Sequence, residues 1–275
     1  MTKTVLITGS SSGIGYYCAK ALVERGYKVV ASCRKLEDVA RLQQQGIHSV
    51  QLDLASEASI ESGYRQALDI LGHIDVLFNN GAYGQPGAVE DLPTHALRTQ
   101  FETNLFGWHH LTCLAIKHMR ERGHGRIIQN SSVLGLVTLP YRGAYNASKF
   151  ALEGLTDTLR QELSDTNIQV SLIEPGPIES KFRDNALAAF FSAEIDAENS
   201  AHYENYLKQQ ARLEVKGKAQ PFTLGPEAVY KKLLHAIEAK RAKPRYYVTF
   251  PTYLFGYLKR ILSTRLMDRI LTKSR

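Results

Sequence analysis

Thr4-Val5-Leu6-Ile7-Thr8-Gly9-Ser10-Ser11-Ser12-Gly13-Ile14-Gly15 begins with a short, unbroken apolar run and ends in glycines at TGxxxGxG spacing. An apolar run of that length fits a strand buried on both faces of a parallel sheet better than an amphipathic one. The glycines let the backbone turn tightly and approach a pyrophosphate, with the N–H groups of a following helix aimed at its charge. That helix is predicted in YYCAKALVERG, where Cys18, Leu22 and Val23 have helical spacing and Gly26 supplies a stop. A second apolar strand, KVVASC from Lys28 to Cys33, closes a βαβ unit of the length a dinucleotide fold uses.

Outward from this unit the alternation continues. Strands are expected at His48 to Leu52, Ile74 to Phe78, Arg126 to Gln129, Gln169 to Ile173 and Tyr246 to Phe250. Helices are expected at 36–45, 56–71, 94–120, 142–164 and 226–239. No linker, repeat or low-complexity tract divides the 275 residues. The pattern predicts an α/β Rossmann fold in one domain, 1–275, with a doubly wound, seven-stranded parallel sheet and helices on both faces.

Composition narrows the function. With 44% hydrophobic and 22% charged residues the chain reads as soluble and globular. Cys18, Cys33 and Cys113 show no CxxC or Cys/His spacing, so a reducing compartment and no metal are expected. Neither a secretory leader nor an apolar window of about 18 residues is visible, and a cytoplasmic location is expected. The net charge of +7 invites nucleic acid as a partner, but ten of the 34 Lys/Arg and one of the 27 Asp/Glu lie in 240–275. The body is slightly acidic, and no nucleic-acid partner is expected.

Candidate site residues cluster at predicted strand ends, where open parallel sheets bind ligands. The second strand ends in Ser32-Cys33-Arg34-Lys35, with no acid for a ribose 2′-hydroxyl. Arg34 either faces a 2′-phosphate, favouring NADP(H) over NAD(H), or forms a solvated basic pair opening the next helix. Asp53 either accepts from an adenine amino group or caps the helix starting near Ser56. Asn79-Asn80-Gly81-Ala82 follows the fourth strand with no second hairpin strand after it. Asn104 lies in an apolar helical stripe (Phe101, Leu105, Trp108, Leu111, Leu114, Ile116) and must satisfy backbone or hold a water or ligand. Tyr145 and Lys149, four residues apart, share a helical face, where a cation lowers a phenol's pKa toward neutrality. That helix carries an apolar stripe of Phe150, Leu152, Leu155, Leu159 and Leu163.

Taken together, TGSSSGIG at 8–15, NNGA at 79–82, Asn104, SSVLG at 131–135, YNASK at 145–149 and PGPIES at 175–180 resemble the short-chain dehydrogenase/reductase family, in its order and over about residues 3–182. FTLGPEAV, Arg34 and the basic C-terminal segment look most similar to bacterial NADP-dependent aldehyde reductases, and more distantly to retinol and 17β-hydroxysteroid dehydrogenases. The resemblance implies that Tyr145 exchanges the proton with the substrate oxygen, that Lys149 lowers its pKa and holds ribose hydroxyls, that Ser132 bonds the substrate oxygen, and that Asn104 holds a relay water. Ser132 is preferred to Ser131 because its thirteen-residue spacing to Tyr145 matches the family. The implied cofactor residues are Gly9, Ser11, Ser12, Gly13, Ile14, Gly15, Arg34, Asp53, Leu54, Asn80, Gly81, Tyr145, Lys149, Pro175, Gly176, Ile178 and Ser180. A homo-oligomer is implied as well. The family's NNAG is NNGA here, and Ser180 stands where a threonine is usual.

Between 181 and 224 the pattern breaks into small, polar and aromatic residues, including LAAFF at 187–191. A substrate lid for a hydrophobic carbonyl or alcohol, or a packing excursion, accounts for it. In 252–275 Leu254, Leu258, Ile261/Leu262, Leu266 and Ile270 alternate with Lys259, Arg260, Arg265 and Arg269. This predicts a basic amphipathic helix that packs on its own domain or a partner subunit, or lies peripherally on a membrane. A nucleotide-binding regulator without catalysis is the rival to an enzyme.

Overall fold

The computed structural model describes residues 3–214 and 221–273. Strands β1 (Thr4–Ile7), β2 (Lys28–Cys33), β3 (His48–Gln51), β4 (Val76–Asn79), β5 (Gly125–Asn130), β6 (Ile168–Glu174) and β7 (Arg245–Tyr247) form one sheet in the order β3-β2-β1-β4-β5-β6-β7. All six pairings are parallel. The chain therefore reverses its winding between β1 and β4, where a crevice opens beyond the strands' C-terminal ends.

The pleat divides the core. Val5 and Ile7 face α1 (Gly13–Glu24), α2 (Leu36–Gln44) and α9 (Glu227–Glu238), while Leu6 faces α3 (Glu57–Leu71), α5 (Gly107–Arg122) and α6 (Gly143–Glu162). The same alternation holds in β4 and β5, as period two requires. This is the doubly wound α/β architecture expected from the sequence.

Four expectations about elements change. The helix expected over 94–120 is α4 (Thr94–Phe101) and α5, joined by a π-helical turn at Glu102–Phe106 that carries Asn104. β7 stops at Tyr247, and Phe250 starts helix α10 (Phe250–Ile261), with Pro251 in its first turn where a missing N–H costs nothing. The single helix expected over 252–275 is broken into α10 and α11 (Thr264–Lys273). Its apolar stripe is divided: Leu258 and Leu262 pack against Val137, Met267 and Leu271, whereas Leu254, Ile261 and Leu266 are exposed. On α6, Leu152 and Leu163 are buried but Phe150 and Leu155 are exposed, so that stripe too serves two surfaces.

The segment after β6 forms α7 (Phe182–Ser192) and α8 (Tyr203–Glu214), packed on each other, with 215–220 outside the described residues.

Candidate active site

At the switch point the glycine turn is pressed from two sides. Gly9 and Gly13 have φ of +65° and +57°, and a Cβ on Gly9 would lie 2.3 Å from the Gly81 Cα. A Cβ on Gly15 would lie 2.4 Å from the Gly9 carbonyl oxygen, and one on Gly13 would lie 2.9 Å from the Ser180 Cβ. Side chains at these positions would collide with neighbouring protein atoms, so the three glycines are required by close approach, and Gly9 and Gly13 by φ as well. Such a cradle before a helix N-terminus fits a pyrophosphate.

Asn80 ties this turn to β5. Its side-chain amide donates to the carbonyls of Thr8 (3.0 Å) and Gly9 (3.3 Å), and its oxygen accepts from Asn130 (2.8 Å). The Gly81 carbonyl accepts from the Trp108 indole at 2.7 Å, and Leu54 packs at Gly81. NNGA thus keeps its glycine at the position that touches Gly9.

Of the two alternatives for Asp53, capping of α3 is not what the structure shows. Ser56 caps α3, accepting from the Ser59 amide at 3.3 Å, while Asp53 accepts from the Ala55 amide at 3.0 Å in a local turn. Arg34 is exposed just beyond the end of β2. Sequence reasoning missed Arg41 on α2, which donates to the Ser11 carbonyl at 2.6 Å and lies over the Tyr16 ring. No motif marks it, because only the packing of α2 brings it to the glycine turn.

Ser132, Tyr145 and Lys149 come together beyond β5 and along the first turns of α6. The Ser132 hydroxyl accepts from the Leu134 amide at 3.1 Å and lies against the Tyr145 phenol, while Ser131 turns toward Glu153. Lys149 is buried; its ammonium donates to the Asn130 carbonyl at 2.9 Å and lies 4.3 Å from the Trp108 ring centroid. The Tyr145 ring centroid is 5.7 Å from the same nitrogen.

Burial dominates the electrostatics. It pushes the Tyr145 phenol up to about 12 despite the Ser132 hydroxyl, and lowers Lys149 to about 7 despite Glu153. The expectation that Lys149 brings the phenol toward neutrality is therefore not met by the protein alone. Desolvation disfavours the charged form of each group.

Asn104 spends its amide on backbone. Its oxygen accepts from the Tyr83 amide (3.2 Å), and its nitrogen donates to the Tyr83 carbonyl (2.9 Å) and to the Ser148 hydroxyl (3.4 Å). Ser148 in turn donates to the Tyr145 carbonyl at 2.9 Å, so Asn104 joins the π-helical turn to the first turn of α6.

After β6, the Pro175 carbonyl accepts from the Val133 amide at 2.8 Å, Gly176 passes close to Thr249, and Ile178 pairs with Leu224. Ser180 is exposed and accepts from the Phe182 amide. Phe182 packs edge-on against Tyr145 at 5.3 Å, and its ring tip occupies the space a Cβ on Gly84 would need. Nothing in the sequence distinguished Phe182 from the rest of the variable segment.

One turn beyond Lys149, Glu153 meets Arg245, which also pairs with Glu174 and Asp157 at 2.5 Å each. Burial, then the charge of Glu153, raises Glu174 to about 8, against the pull of Arg245. Arg245 was grouped with the basic C-terminal segment by composition, but it lies in the sheet and neutralises interior acids.

These features define a short-chain dehydrogenase/reductase, and the chain belongs to that family: the short chain dehydrogenase model matches residues 3–189. Over 272 residues it is 41% identical to an uncharacterized oxidoreductase, YbbO, of Escherichia coli K12, covering 98% of this chain and 94% of that one. Human retinol dehydrogenase 8 is 38% identical over 204 residues, 70% of this chain and 64% of that protein. A short-chain dehydrogenase from Streptomyces avermitilis superposes with a TM-score of 0.78 at 26% identity, covering 98% and 94% of the two chains. The chain is thus an oxidoreductase of a family that uses a nicotinamide cofactor.

Proposed function

We propose that the chain is an NADP(H)-dependent oxidoreductase interconverting an alcohol and a carbonyl on a hydrophobic substrate. The convergence of Ser132, Tyr145 and Lys149 beside the glycine cradle carries the reading. The cradle of Gly9, Ser11, Ser12, Gly13, Ile14 and Gly15 holds the pyrophosphate, and Arg34, supported by Arg41, faces a 2′-phosphate. Asp53, Leu54, Asn80 and Gly81 border the adenosine side, and Lys149, Pro175, Gly176, Ile178 and Ser180 the nicotinamide side. When bound, the cofactor supplies or accepts the hydride.

The protein's own groups handle the proton. Hydride addition builds alkoxide character on the carbonyl oxygen, and the hydroxyls of Ser132 and Tyr145 stabilise that charge more than they stabilise the substrate. Burial keeps the Tyr145 phenol protonated at neutral pH, so its proton is there to be given to the substrate oxygen once alkoxide charge has developed on it. Lys149 replenishes charge and proton beside it, and Asn104 with Ser148 fixes the helix turn that presents Tyr145 and borders the proton relay.

A hydrophobic substrate is supported by the aromatic wall of Phe182 over Tyr145 and by α7 and α8, which we read as a lid. Retinol dehydrogenase 8, among the relatives, carries a name of that kind. Exposed Phe106, Phe150 and Leu155 support a homo-oligomer.

A panel of aliphatic and aromatic aldehydes, ketones, a retinoid and a steroid, each with NADPH and NADH, tests the reading. We expect turnover with kcat/KM at least about tenfold higher for NADPH. Quenching of cofactor fluorescence without turnover on any substrate would establish the regulatory alternative instead.

A further inference from the structure

Helix α10 presents an apolar face to the outside. Phe250, Leu254, Tyr257 and Ile261 follow each other at steps of four, three and four residues, which places them on one side, with Tyr253 at its border. Phe250, Tyr257 and Ile261 are 56%, 59% and 78% exposed. The other side holds the helix to the domain: Thr252 and Gly256 are buried, the Tyr247 ring fills the space a Cβ on Gly256 would take, and Phe255 and Leu258 join the Val137–Met267–Leu271 cluster. The outward stripe is therefore not the unused remainder of a loosely packed helix.

Two further observations extend the face. Phe222, itself exposed, stacks on Phe250 at 4.9 Å, and Leu224 beside it is exposed. Leu224 bonds through its backbone to Pro177 (3.2 Å) and Glu179 (2.9 Å), so the apolar surface is continuous with the segment that leads to Phe182 and Tyr145. Arg260 on α10 and Arg265, Arg269 and Lys273 on α11 are exposed cations of the same C-terminal segment, while Lys259 turns to the opposite side of α10, 4.5 Å from the Phe150 ring centroid, and Asp268 is the one acid in 240–275. A second copy brought to this face would meet the same excess of positive charge, whereas an anionic lipid surface complements both the cations and the aromatic stripe.

We propose that the outer face of α10, extended by Phe222 and Leu224, docks the protein onto anionic bilayers, with the helix lying in the plane of the headgroups. Among the described residues no helix is long and apolar enough to cross a membrane, which fits a surface mode. Docking stands on the surface alone. Its consequence, that a lipophilic alcohol or carbonyl reaches the 177–182 segment without crossing water, rests on the oxidoreductase reading.

The test is co-sedimentation of the full chain with phosphatidylcholine vesicles and with vesicles containing about one-third phosphatidylserine, at low and high salt. Two variants accompany it, Phe250→Ser/Tyr257→Ser/Ile261→Ser and Arg265→Glu/Arg269→Glu, each checked for native circular dichroism and thermal unfolding. We expect partitioning at least about tenfold stronger to anionic vesicles, weakened by salt and reduced about tenfold in both folded variants. Equal binding to both vesicle types, or folded variants that pellet like the parent, would overturn the proposal. So would sedimentation equilibrium showing that the serine variant converts a dimer to a monomer, because a second copy would then own the face. None of these readouts depends on turnover, so a failure of docking is distinct from a failure of the proposed activity.

Discussion

Tyr145 and Lys149 are one helical turn apart, yet their surroundings set their protonation more than their spacing does. A phenol near 12 is an acid that keeps its proton until charge develops on a neighbouring oxygen. Replacing Tyr145 with Phe removes only that hydroxyl; kcat should fall by about 10²- to 10⁴-fold. Cofactor affinity, followed by fluorescence quenching, should change little, and near-normal turnover would refute the assigned role. Arg34→Glu places an acid at the end of β2; the NADPH-to-NADH ratio of kcat/KM should fall by about tenfold or more. Glu174 gives a pH signature. Its folded pKa lies above the ordinary 4.5 at about 8, so the folded state binds the extra proton in that window and stability falls as pH rises through it. Glu174→Gln should remove up to about 1.4 kcal/mol per pH unit of that decline, seen as a flatter dependence of the denaturation midpoint between pH 5 and pH 8. The motif residues of this site were legible in the sequence. Arg41, Trp108 and Phe182 were not, because each reaches the site from a helix whose own pattern describes only a core or surface face.

At the scale of elements, α7 and α8, the proposed lid, are fastened at a point away from Ser132, Tyr145 and Lys149. The Tyr206 hydroxyl on α8 donates to Asp91 at 2.7 Å and accepts from the Ala88 amide at 3.0 Å, and Ser200 donates to the same carboxylate at 2.6 Å. These hydroxyls hold the Asp91 carboxyl below its ordinary value. Asp91→Ala cuts both charge-assisted bonds, each worth about 1.5–3 kcal/mol in a sheltered setting, with less expected at this solvent-exposed carboxylate. Proteolysis within α7–α8 should speed up and KM for a bulky substrate should rise several-fold, with unchanged cofactor binding; an unaltered cleavage rate would show that the latch does not hold the lid. The sequence marked 181–224 as a break in pattern without revealing two helices, because their contacts are with 84–91 and Tyr145 rather than with a periodic partner strand. The π-helical turn around Asn104 was hidden for a similar reason. Local spacing there suits an uninterrupted helix, and the extra residue is accommodated by hydrogen bonds to Tyr83, distant in sequence.

Across the whole molecule, Arg245 joins β7, β6 and α6 by holding Glu174, Glu153 and Asp157 together. Arg245→Met leaves two buried carboxyls without their cation and should cost about 3–5 kcal/mol. The loss should be larger at high pH than at low pH, since the stranded acids are neutral when protonated; denaturant titrations at pH 5 and pH 8 measure it. By itself the sequence determined the doubly wound architecture and the glycine cradle, because strand burial and glycine sterics are local properties, while its family resemblance, rather than helical spacing, singled out Ser132, Tyr145 and Lys149. Tertiary structure alone decided which way the pKa values of Tyr145 and Lys149 move, that Arg245 is an interior counter-ion, and that α10 turns its apolar face outward. Those depend on desolvation and packing by residues remote in the chain, and no local pattern encodes which side of a helix will find a partner.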